Sequence, residues 1–307
     1  MSGASLRKIG PEAPDGDPFH LDDDIAYRAW REAKLAAYPR AVDDLIVEIG
    51  DPAALTSAEH AAIRDRCMRA NMAIYALDGP PRDEAAQRAA VLALGPALGL
   101  SAIEDHRSRD RDGLVAIEVV ESGGRLGYIP YTSRPIAWHT DGYYNYHGPE
   151  RAVQAMLLHC VRDAEGGENR LLDHEIAYIR LRDENPGHIA ALMHPEAMSI
   201  PENIEPDGKV RPVNVGPVFY IDPRTGALGM RYTARTRSIS WREDVATQRA
   251  VAALTRILAG EPLVLSTRMR PGMGLICNNV LHDRTGFANG AAGGRLIYRI
   301  RYHGLIA

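Results

Sequence analysis

The sequence predicts a mainly β protein with flanking helices, of the α+β class, whose core is an antiparallel barrel or jelly roll. Short apolar runs punctuated by Gly, Pro and Asp follow one another after residue 100, a pattern typical of strands. Regular helices do not alternate with these runs, so a parallel βαβ sheet is not favoured. The predicted strands lie at 113–120, 152–161, 216–221, 261–269, 274–282 and 295–303.

A helical pattern occupies most of the first hundred residues. One helix is predicted to start at Thr56 or Ser57, whose hydroxyl can cap it, and to continue through Met72 and Tyr75. We expect the helices of this region to pack outside the strands and buttress them. The other predicted elements are helices over 22–38 and 83–98, a strand over 43–49 and a loosely held arm over 1–20.

The length and composition suit one globular domain. The chain has 307 residues, of which 45% are hydrophobic and 25% are charged, and these are ordinary values for a globular domain. We therefore expect a single domain over 1–307. Its helical buttress would occupy 1–100 and its strand-rich core 101–307, with helical insertions near 174–184 and 243–260.

Charge and cysteine content argue against several classes of protein. The net charge of −4 gives no reason to expect a nucleic acid or an anionic membrane as partner. Cys67, Cys160 and Cys277 are far apart, so neither a disulfide framework nor a C-x-x-C zinc site is expected. No apolar stretch suits a secretory signal or a membrane span. Three reduced thiols suit a cytoplasmic protein.

A group of metal-ligating residues is the main functional signal. His139 and Asp141 lie two residues apart in an extended segment, so their side chains point to the same face. His282, at the end of the run 274–282, is a candidate third ligand. Two His and one carboxylate on one face of an octahedron are typical of non-haem Fe(II) oxygenases. Each signal alone is weak, because H-x-D triplets occur by chance and most histidines are satisfied by hydrogen bonds.

Arg295 adds a second signal, because it follows His282 across a Gly-rich turn and begins the next predicted strand. Antiparallel pairing would return it beside the His282 strand, where a guanidinium could bind a carboxylate through two hydrogen bonds. Arg299 lies four residues further on and points to the same face by strand alternation. A surface salt bridge is the alternative for Arg295. With a metal nearby, this arginine suits 2-oxoglutarate, which chelates metal at one end and carries a carboxylate at the other.

Four segments, in this order, resemble the TauD/TfdA family of Fe(II)- and 2-oxoglutarate-dependent dioxygenases. The resemblance implies a double-stranded β-helix, or jelly roll, as the core, with Fe(II) as the metal and 2-oxoglutarate and O2 as co-substrates. The matching segments are WHTDGYYN at 138–145, GGEN at 166–169, NNVLHDRTGF at 278–287 and RLIYR at 295–299.

The resemblance implies roles for individual residues. Arg295 matches the residue that binds the distal carboxylate of 2-oxoglutarate, and Arg299 matches a second arginine near the co-substrate. Asn169 stands where many members have a Thr that hydrogen-bonds the co-substrate, and an Asn amide can also donate. Asn278, Asn279 and Asp283 are candidates to orient the ligands, with a strand-end turn as the alternative role. The positions that match the iron ligands are His139, Asp141 and His282.

The implied reaction hydroxylates an unactivated C–H bond of a small molecule, anionic or neutral, and releases succinate and CO2. Desaturation, ring closure and demethylation are open alternatives, as is a homo-oligomeric assembly. Two further alternatives are a jelly-roll metalloenzyme that does not use 2-oxoglutarate and a non-catalytic metal-binding or sensing protein.

Candidate substrate residues lie around the ligand segments. Aromatic rings could line the pocket mouth and arginines could bind an anionic group, while loop packing and a solvated strand face are the alternatives. The Pro-rich stretch 195–215 could serve as a lid. The candidates are Tyr131, Tyr143, Tyr144, Arg231 and Arg235.

Overall fold

The computed structural model describes residues 16–79, 83–105, 109–120, 128–204, 208–237, 239–289 and 294–306. Two facing β-sheets with flanking helices form its core, which confirms the predicted α+β class and jelly-roll architecture. Most of the predicted arm at 1–20 lies outside the described residues.

Each of the six helices in the described part of the chain begins after an Asp, Asn or Thr whose side chain accepts a hydrogen bond from a backbone N–H. Such caps satisfy amide groups that have no partner inside the helix. Thr56 is one of these caps, as the sequence predicted. None of the described helices is long and apolar enough to cross a membrane. The helices are Asp24–Ala37 (α1), Ser57–Ala70 (α2), Glu84–Ala97 (α3), His174–Glu184 (α4), Pro186–Leu192 (α5) and Val245–Gly260 (α6).

The strands are mostly short and are numbered in chain order. Those in the described residues are Ile46–Ile49 (β1), Met72–Leu77 (β2), Val115–Ile117 (β3), Ile136–His139 (β4), Ala155–Arg162 (β5), Glu165–Gly166 (β6), Asn169–Leu172 (β7), Met198–Ile200 (β8), Asn203–Ile204 (β9), Val210–Arg211 (β10), Asn214–Gly216 (β11), Phe219–Ile221 (β12), Leu228–Met230 (β13), Ser240–Trp241 (β14), Leu265–Thr267 (β15), Met273–Cys277 (β16), Leu281–Arg284 (β17), Phe287–Ala288 (β18) and Leu296–Tyr302 (β19).

Two sheets enclose the interior of the molecule. The larger sheet has the order β1-β2-β16-β5-β19-β3, and the smaller one has the order β15-β7-β17-β4. Side chains alternate along β19, so that Ile297 lies in the core between the sheets while Tyr298 and Ile300 lie in the core under α2 and α3. Odd-numbered residues of β19 therefore face the smaller sheet.

The second helix ends earlier than the sequence predicted. Asn71 adopts a left-handed conformation with φ 55° and ends α2, so Met72 and Tyr75 lie on strand β2 instead. This strand is apolar on both faces because it is buried between β1 and β16, and such a run is hard to tell from a buried helix by its periodicity. The first hundred residues thus contribute two strands to the larger sheet besides their helices.

The predicted strand 274–282 is two strands that lie in different sheets. The chain turns at Asn278 and Asn279, whose φ of 49° is again left-handed, so β16 belongs to the larger sheet and β17 to the smaller one. Consequently β19 pairs with β3 and β5 and not with the His282 strand, which corrects the pairing expected for Arg295. Arg295 and Arg299 approach His282 across the interior, from the opposite sheet.

The predicted loop at 195–215 contains regular structure in the part that is described. Strands β8 and β11 pair with each other, and β9 pairs with β10. Residues 205–207 of this stretch lie outside the described residues.

Candidate metal centre and co-substrate pocket

The three predicted metal ligands lie together on the smaller sheet. Antiparallel pairing of β4 with β17 places His282 directly opposite His139, and their ring centroids are 4.2 Å apart. Asp141 follows β4, and its Oδ1 atom lies 3.6 Å from Nε2 of His139. One ligand atom from each of the three residues lies within 4.8 Å of the others. This grouping fits the facial arrangement of two histidines and one carboxylate.

Backbone contacts orient both imidazole rings. Nδ1 of His139 lies 3.0 Å from the carbonyl oxygen of Ala137, and Nδ1 of His282 lies 2.9 Å from that of Val280. A carbonyl oxygen only accepts, so each Nδ1 carries the proton and each Nε2 keeps its lone pair for a metal. Burial, reinforced by the neighbouring His282, lowers the pKa of His139 to about 3 and keeps its ring neutral.

Two arginines of β19 hold the carboxylate of Asp141 in its ionised form. Nη1 of Arg299 lies 3.0 Å from Oδ2 of Asp141, and Nη1 of Arg301 lies 3.8 Å from the same atom. Burial alone would raise the pKa of Asp141, but these two cations outweigh it and bring the pKa well below its usual range. Because Oδ2 faces the arginines, Oδ1 is the oxygen left for a metal.

Asn279 fixes the backbone of Asp141. Its side-chain oxygen accepts a hydrogen bond from the Asp141 N–H at 2.8 Å, and its amide nitrogen donates to the Asp141 carbonyl at 3.0 Å and to the Val153 carbonyl at 2.8 Å. The two other residues predicted to orient the ligands have different partners. Asn278 forms hydrogen bonds with Asn71 and Ile306, and Asp283 forms an ion pair with Arg170.

A pocket extends from the ligands between the two sheets. Its middle is apolar, and its far end carries Arg295 and a second arginine, Arg284, which the sequence analysis did not select. Strand alternation from His282 to Arg284 was the signal available in the sequence. The apolar walls include Ile117, Met156, Leu158 and Ile297.

Arg295 is 7% exposed. Burial lowers its pKa, and in the described residues no carboxylate pairs with it. Asn169 also lines the pocket, where its amide donates to the Asp283 carbonyl at 3.3 Å and its side-chain oxygen has no partner in the described residues. The pocket thus offers a metal-binding group at one end, an apolar middle and an uncompensated cation at the other end, which suits a metal-chelating acid with a distal carboxylate.

Comparison with known families agrees with this geometry. A sequence profile described as "Taurine catabolism dioxygenase TauD, TfdA family" matches residues 35–301. The chain belongs to the TauD/TfdA family. It is therefore an Fe(II)- and 2-oxoglutarate-dependent dioxygenase, as the four segments implied, and the residues described above fit that metal and that co-substrate.

Solved structures show that this TauD/TfdA protein shares its fold with other iron oxygenases. Non-haem iron oxygenase OrfP in complex with Fe, succinate and (3S)-hydroxy-L-Arg is 17% identical, with a TM-score of 0.61 over 82% of each chain. Asparagine oxygenase in complex with Fe(II), 2S,3S-3-hydroxyasparagine and succinate is 19% identical, with a TM-score of 0.57 over 96% of this chain and 87% of that chain. PvcB from Pseudomonas aeruginosa is 17% identical, with a TM-score of 0.56 over 87% of each chain. No curated protein sequence matches the chain significantly.

Two of the predicted substrate residues of this TauD/TfdA protein lie near the candidate metal centre, Tyr143 beside His139 and Arg235 beside Tyr143. The ring of Tyr143 lies 6.5 Å from that of His139, and the guanidinium carbon of Arg235 lies 5.9 Å from the Tyr143 ring centre. The chain reaches this position because Thr233 forms a β-bridge with His139. No carboxylate pairs with Arg235 among the described residues.

The other three residues predicted to contact the substrate are engaged in contacts within the protein. Tyr131 is buried in the hydrophobic core, and the hydroxyl of Tyr144 accepts a hydrogen bond from Arg301 at 3.2 Å. Arg231 is 2% exposed, so it does not lie on a solvated strand face. All five of its N–H groups donate to oxygens of the segments around the site, namely the backbone oxygens of Tyr143, Met198, Asn214 and Gly216 and the side-chain oxygen of Asn214. Its guanidinium therefore has no donor left for a substrate.

Sequence reasoning also missed a buried ion pair behind Asp141. Arg301 is 1% exposed, and its Nε atom lies 2.5 Å from Oε2 of Glu104, which is 2% exposed. Alternation along β19 placed Arg301 on the same face as Arg299, but nothing in the sequence linked it to the distant Glu104. The pair supports both Asp141 and Tyr144 from behind.

Proposed function

We propose that His139, Asp141 and His282 hold the Fe(II) of this dioxygenase. The observation that carries the proposal is the convergence of two free Nε2 atoms and one free carboxylate oxygen within 4.8 Å. The backbone carbonyls that hold each Nδ1 leave both Nε2 lone pairs available to a metal. Asn279, Arg299 and Arg301 keep the third ligand ionised and correctly placed.

The co-substrate end of the site is proposed to lie between the sheets. Arg295 binds the distal carboxylate of 2-oxoglutarate, and the apolar walls around Met156 and Ile297 cover its methylene carbons. Bound Fe(II) and 2-oxoglutarate supply O2 activation coupled to the release of succinate and CO2. The residues of the chain bind and orient the co-substrate and exclude water from this buried pocket.

The substrate is proposed to be a small molecule with a carboxylate, of the amino-acid type, hydroxylated at an unactivated C–H bond. Two neighbours in fold hold a 3-hydroxylated amino acid together with succinate. Arg235, which has no carboxylate partner in the described chain, is placed to bind the carboxylate of such a molecule beside Tyr143. The Tyr143 ring would form an apolar wall between that anchor and His139.

The experiment is a screen of the L-amino acids with the Fe(II)-loaded enzyme, 2-oxoglutarate and O2. Succinate release and a product heavier by one oxygen atom identify a substrate. Arg235→Gln is then expected to raise the KM for that substrate about tenfold or more, because a charge-assisted hydrogen bond is lost. Arg237→Gln, which removes an exposed arginine two residues away, is the matched control.

The outcomes separate the parts of the proposal. If an acid is hydroxylated but Arg235→Gln and Arg237→Gln have equal kinetics, Arg235 is not the anchor. If no L-amino acid raises succinate release above the rate without added substrate, the proposed substrate class is wrong. If the metal-loaded enzyme consumes O2 without any dependence on 2-oxoglutarate, the alternative of a metalloenzyme with another co-substrate is correct.

A further inference from the structure

Arg284 is the least expected charge in the co-substrate pocket. It lies two residues after His282 on β17, so both side chains face the interior between the sheets. Strand geometry puts it about 7 Å further along the pocket from the metal ligands. It is 4% exposed.

The contacts of Arg284 use only part of its guanidinium. Nη2 donates to the carbonyl oxygens of Thr132 and Arg134 at 2.8 and 2.5 Å. Its Nε atom is buried and has no acceptor in the described residues. A buried N–H without an acceptor costs free energy that a bound ligand oxygen would recover.

Arg284 and Arg295 both lie against one aromatic residue. Their guanidinium carbons are 4.7 and 5.4 Å from the ring centre of Phe287. Both side chains are buried and line the same pocket. No carboxylate of the described chain offsets either charge. Two buried cations beside one ring, with no carboxylate partner among the described residues, favour the binding of an anionic ligand.

We propose that Arg284 and Arg295 together form a two-arginine clamp for the distal carboxylate of 2-oxoglutarate, in which Arg284 makes the enzyme selective for a dicarboxylic co-substrate. This inference rests on the proposed co-substrate pocket and adds to it a residue that acts on the same carboxylate. Arg284 binds through its free Nε–H while its Nη2 stays anchored on the 132–134 backbone.

A purely structural role for Arg284 is the competing explanation, because its bonds to the Thr132 and Arg134 carbonyls tie that segment to β17. The two roles differ in what they require of the ligand. A structural arginine affects every 2-oxo acid equally, whereas a clamp affects only acids that carry the distal carboxylate.

The test compares 2-oxoglutarate with 2-oxopentanoate, which has the same chain length and a methyl group in place of the distal carboxylate. Dissociation constants are measured by calorimetry on the Fe(II)-loaded enzyme without O2, for the unmodified chain and for Arg284→Gln, Arg284→Lys and Arg295→Gln. Arg256→Gln, which removes an exposed arginine charge from α6, is the control.

We expect Arg284→Gln to weaken 2-oxoglutarate about tenfold or more and to leave 2-oxopentanoate within about twofold. Arg295→Gln should likewise weaken 2-oxoglutarate but not 2-oxopentanoate. Arg256→Gln should change neither dissociation constant. Equal weakening of both acids by Arg284→Gln would assign Arg284 a structural role and overturn the clamp. If Arg284→Gln does not fold, Arg284→Lys, which keeps the positive charge, decides between the two roles. An unchanged preference of Arg284→Lys for 2-oxoglutarate over 2-oxopentanoate supports the clamp. Loss of binding of both acids contradicts the clamp. Failure of the unmodified chain to bind 2-oxoglutarate would instead overturn the co-substrate pocket itself.

Discussion

The guanidinium of Arg299 on the larger sheet lies 3.0 Å from the carboxylate of Asp141 on the smaller one. This ion pair joins the two halves of the jelly roll at the candidate metal centre. Because Asp141 is buried and the side chain of Arg299 is only 12% exposed, removal of one partner leaves the other charge with less compensation. Its consequence depends on whether a metal is present, since a divalent cation supplies the positive charge that Arg299 would otherwise provide.

Arg299→Gln is therefore expected to destabilise the metal-free protein by about 3 kcal/mol and the Mn(II)-loaded protein by clearly less. Urea unfolding with and without Mn(II) measures both values. Equal losses in the two states would show that the metal does not meet Asp141, and would count against the ligand assignment.

Both the side chain and the backbone conformation of Asn279 are expected to contribute to stability. Asn279→Gly removes three hydrogen bonds to the Asp141 and Val153 backbone but tolerates the φ of 49°. Asn279→Ala loses the same bonds and adds backbone strain of about 1 kcal/mol. Denaturant unfolding should rank the proteins as unmodified, Gly variant and Ala variant, in order of decreasing stability. Both variants should bind metal more weakly, and an Ala variant as stable as the Gly variant would contradict the argument from strain.

Arg231→Lys is expected to lower the free energy of unfolding by about 2–3 kcal/mol, because a lysine cannot reproduce five donors in a planar fork. The loss should loosen the segments that Arg231 joins, so amide exchange near Met198 and Gly216 should accelerate. Arg237→Lys on the exposed part of the same segment is the control. Unchanged exchange in Arg231→Lys would mean that these segments are held by other contacts.

His159 gives the protein a pH dependence outside the site. Burial lowers the pKa of His159 to about 4. The hydrogen bonds of its two ring nitrogens with Tyr75 and Gln87 suit the neutral form. In the unfolded state the pKa of a histidine is near 6.5, so on acidification the unfolded state takes up the proton before the folded state does. The contribution of His159 to the free energy of unfolding is therefore complete above pH 6.5 and falls as the pH drops towards 4. The stability advantage of the unmodified protein over His159→Gln should shrink by up to about 3 kcal/mol over this range. Unfolding free energies of the metal-free proteins at pH 7, 5.5 and 4.5 check this, and an advantage that stays constant with pH would contradict it.

Much of the candidate metal centre could be predicted from the sequence, because the residues proposed as ligands lie on short local patterns. The separation of His139 and Asp141 by one residue needs only an extended backbone to bring them together, and Thr56 caps its helix through a local contact. Family membership then followed from four short segments in the right order. These features depend on neighbours in sequence, which the chain itself displays.

The features that escaped prediction depend on contacts between distant parts of the chain. The continuous apolar run 274–282 gives no sign that Asn279 turns left-handed, since that conformation is stabilised by the Asp141 backbone. For the same reason Arg295 was placed beside the wrong strand although its pocket position was anticipated. Arg301 and Glu104 form one ion pair across the fold, and neither residue identifies its partner in the sequence.

The most direct test of the central claim is an anaerobic titration of the Fe(II)-loaded enzyme with 2-oxoglutarate, followed by visible absorption. The proposed site predicts a metal-to-ligand charge-transfer band that is absent from Asp141→Ala and that requires a much higher concentration of 2-oxoglutarate in Arg295→Ala. A protein that binds Fe(II) but gives no band at any concentration, or a band that Asp141→Ala retains unchanged, would contradict the assignment of His139, Asp141 and His282 as the iron ligands.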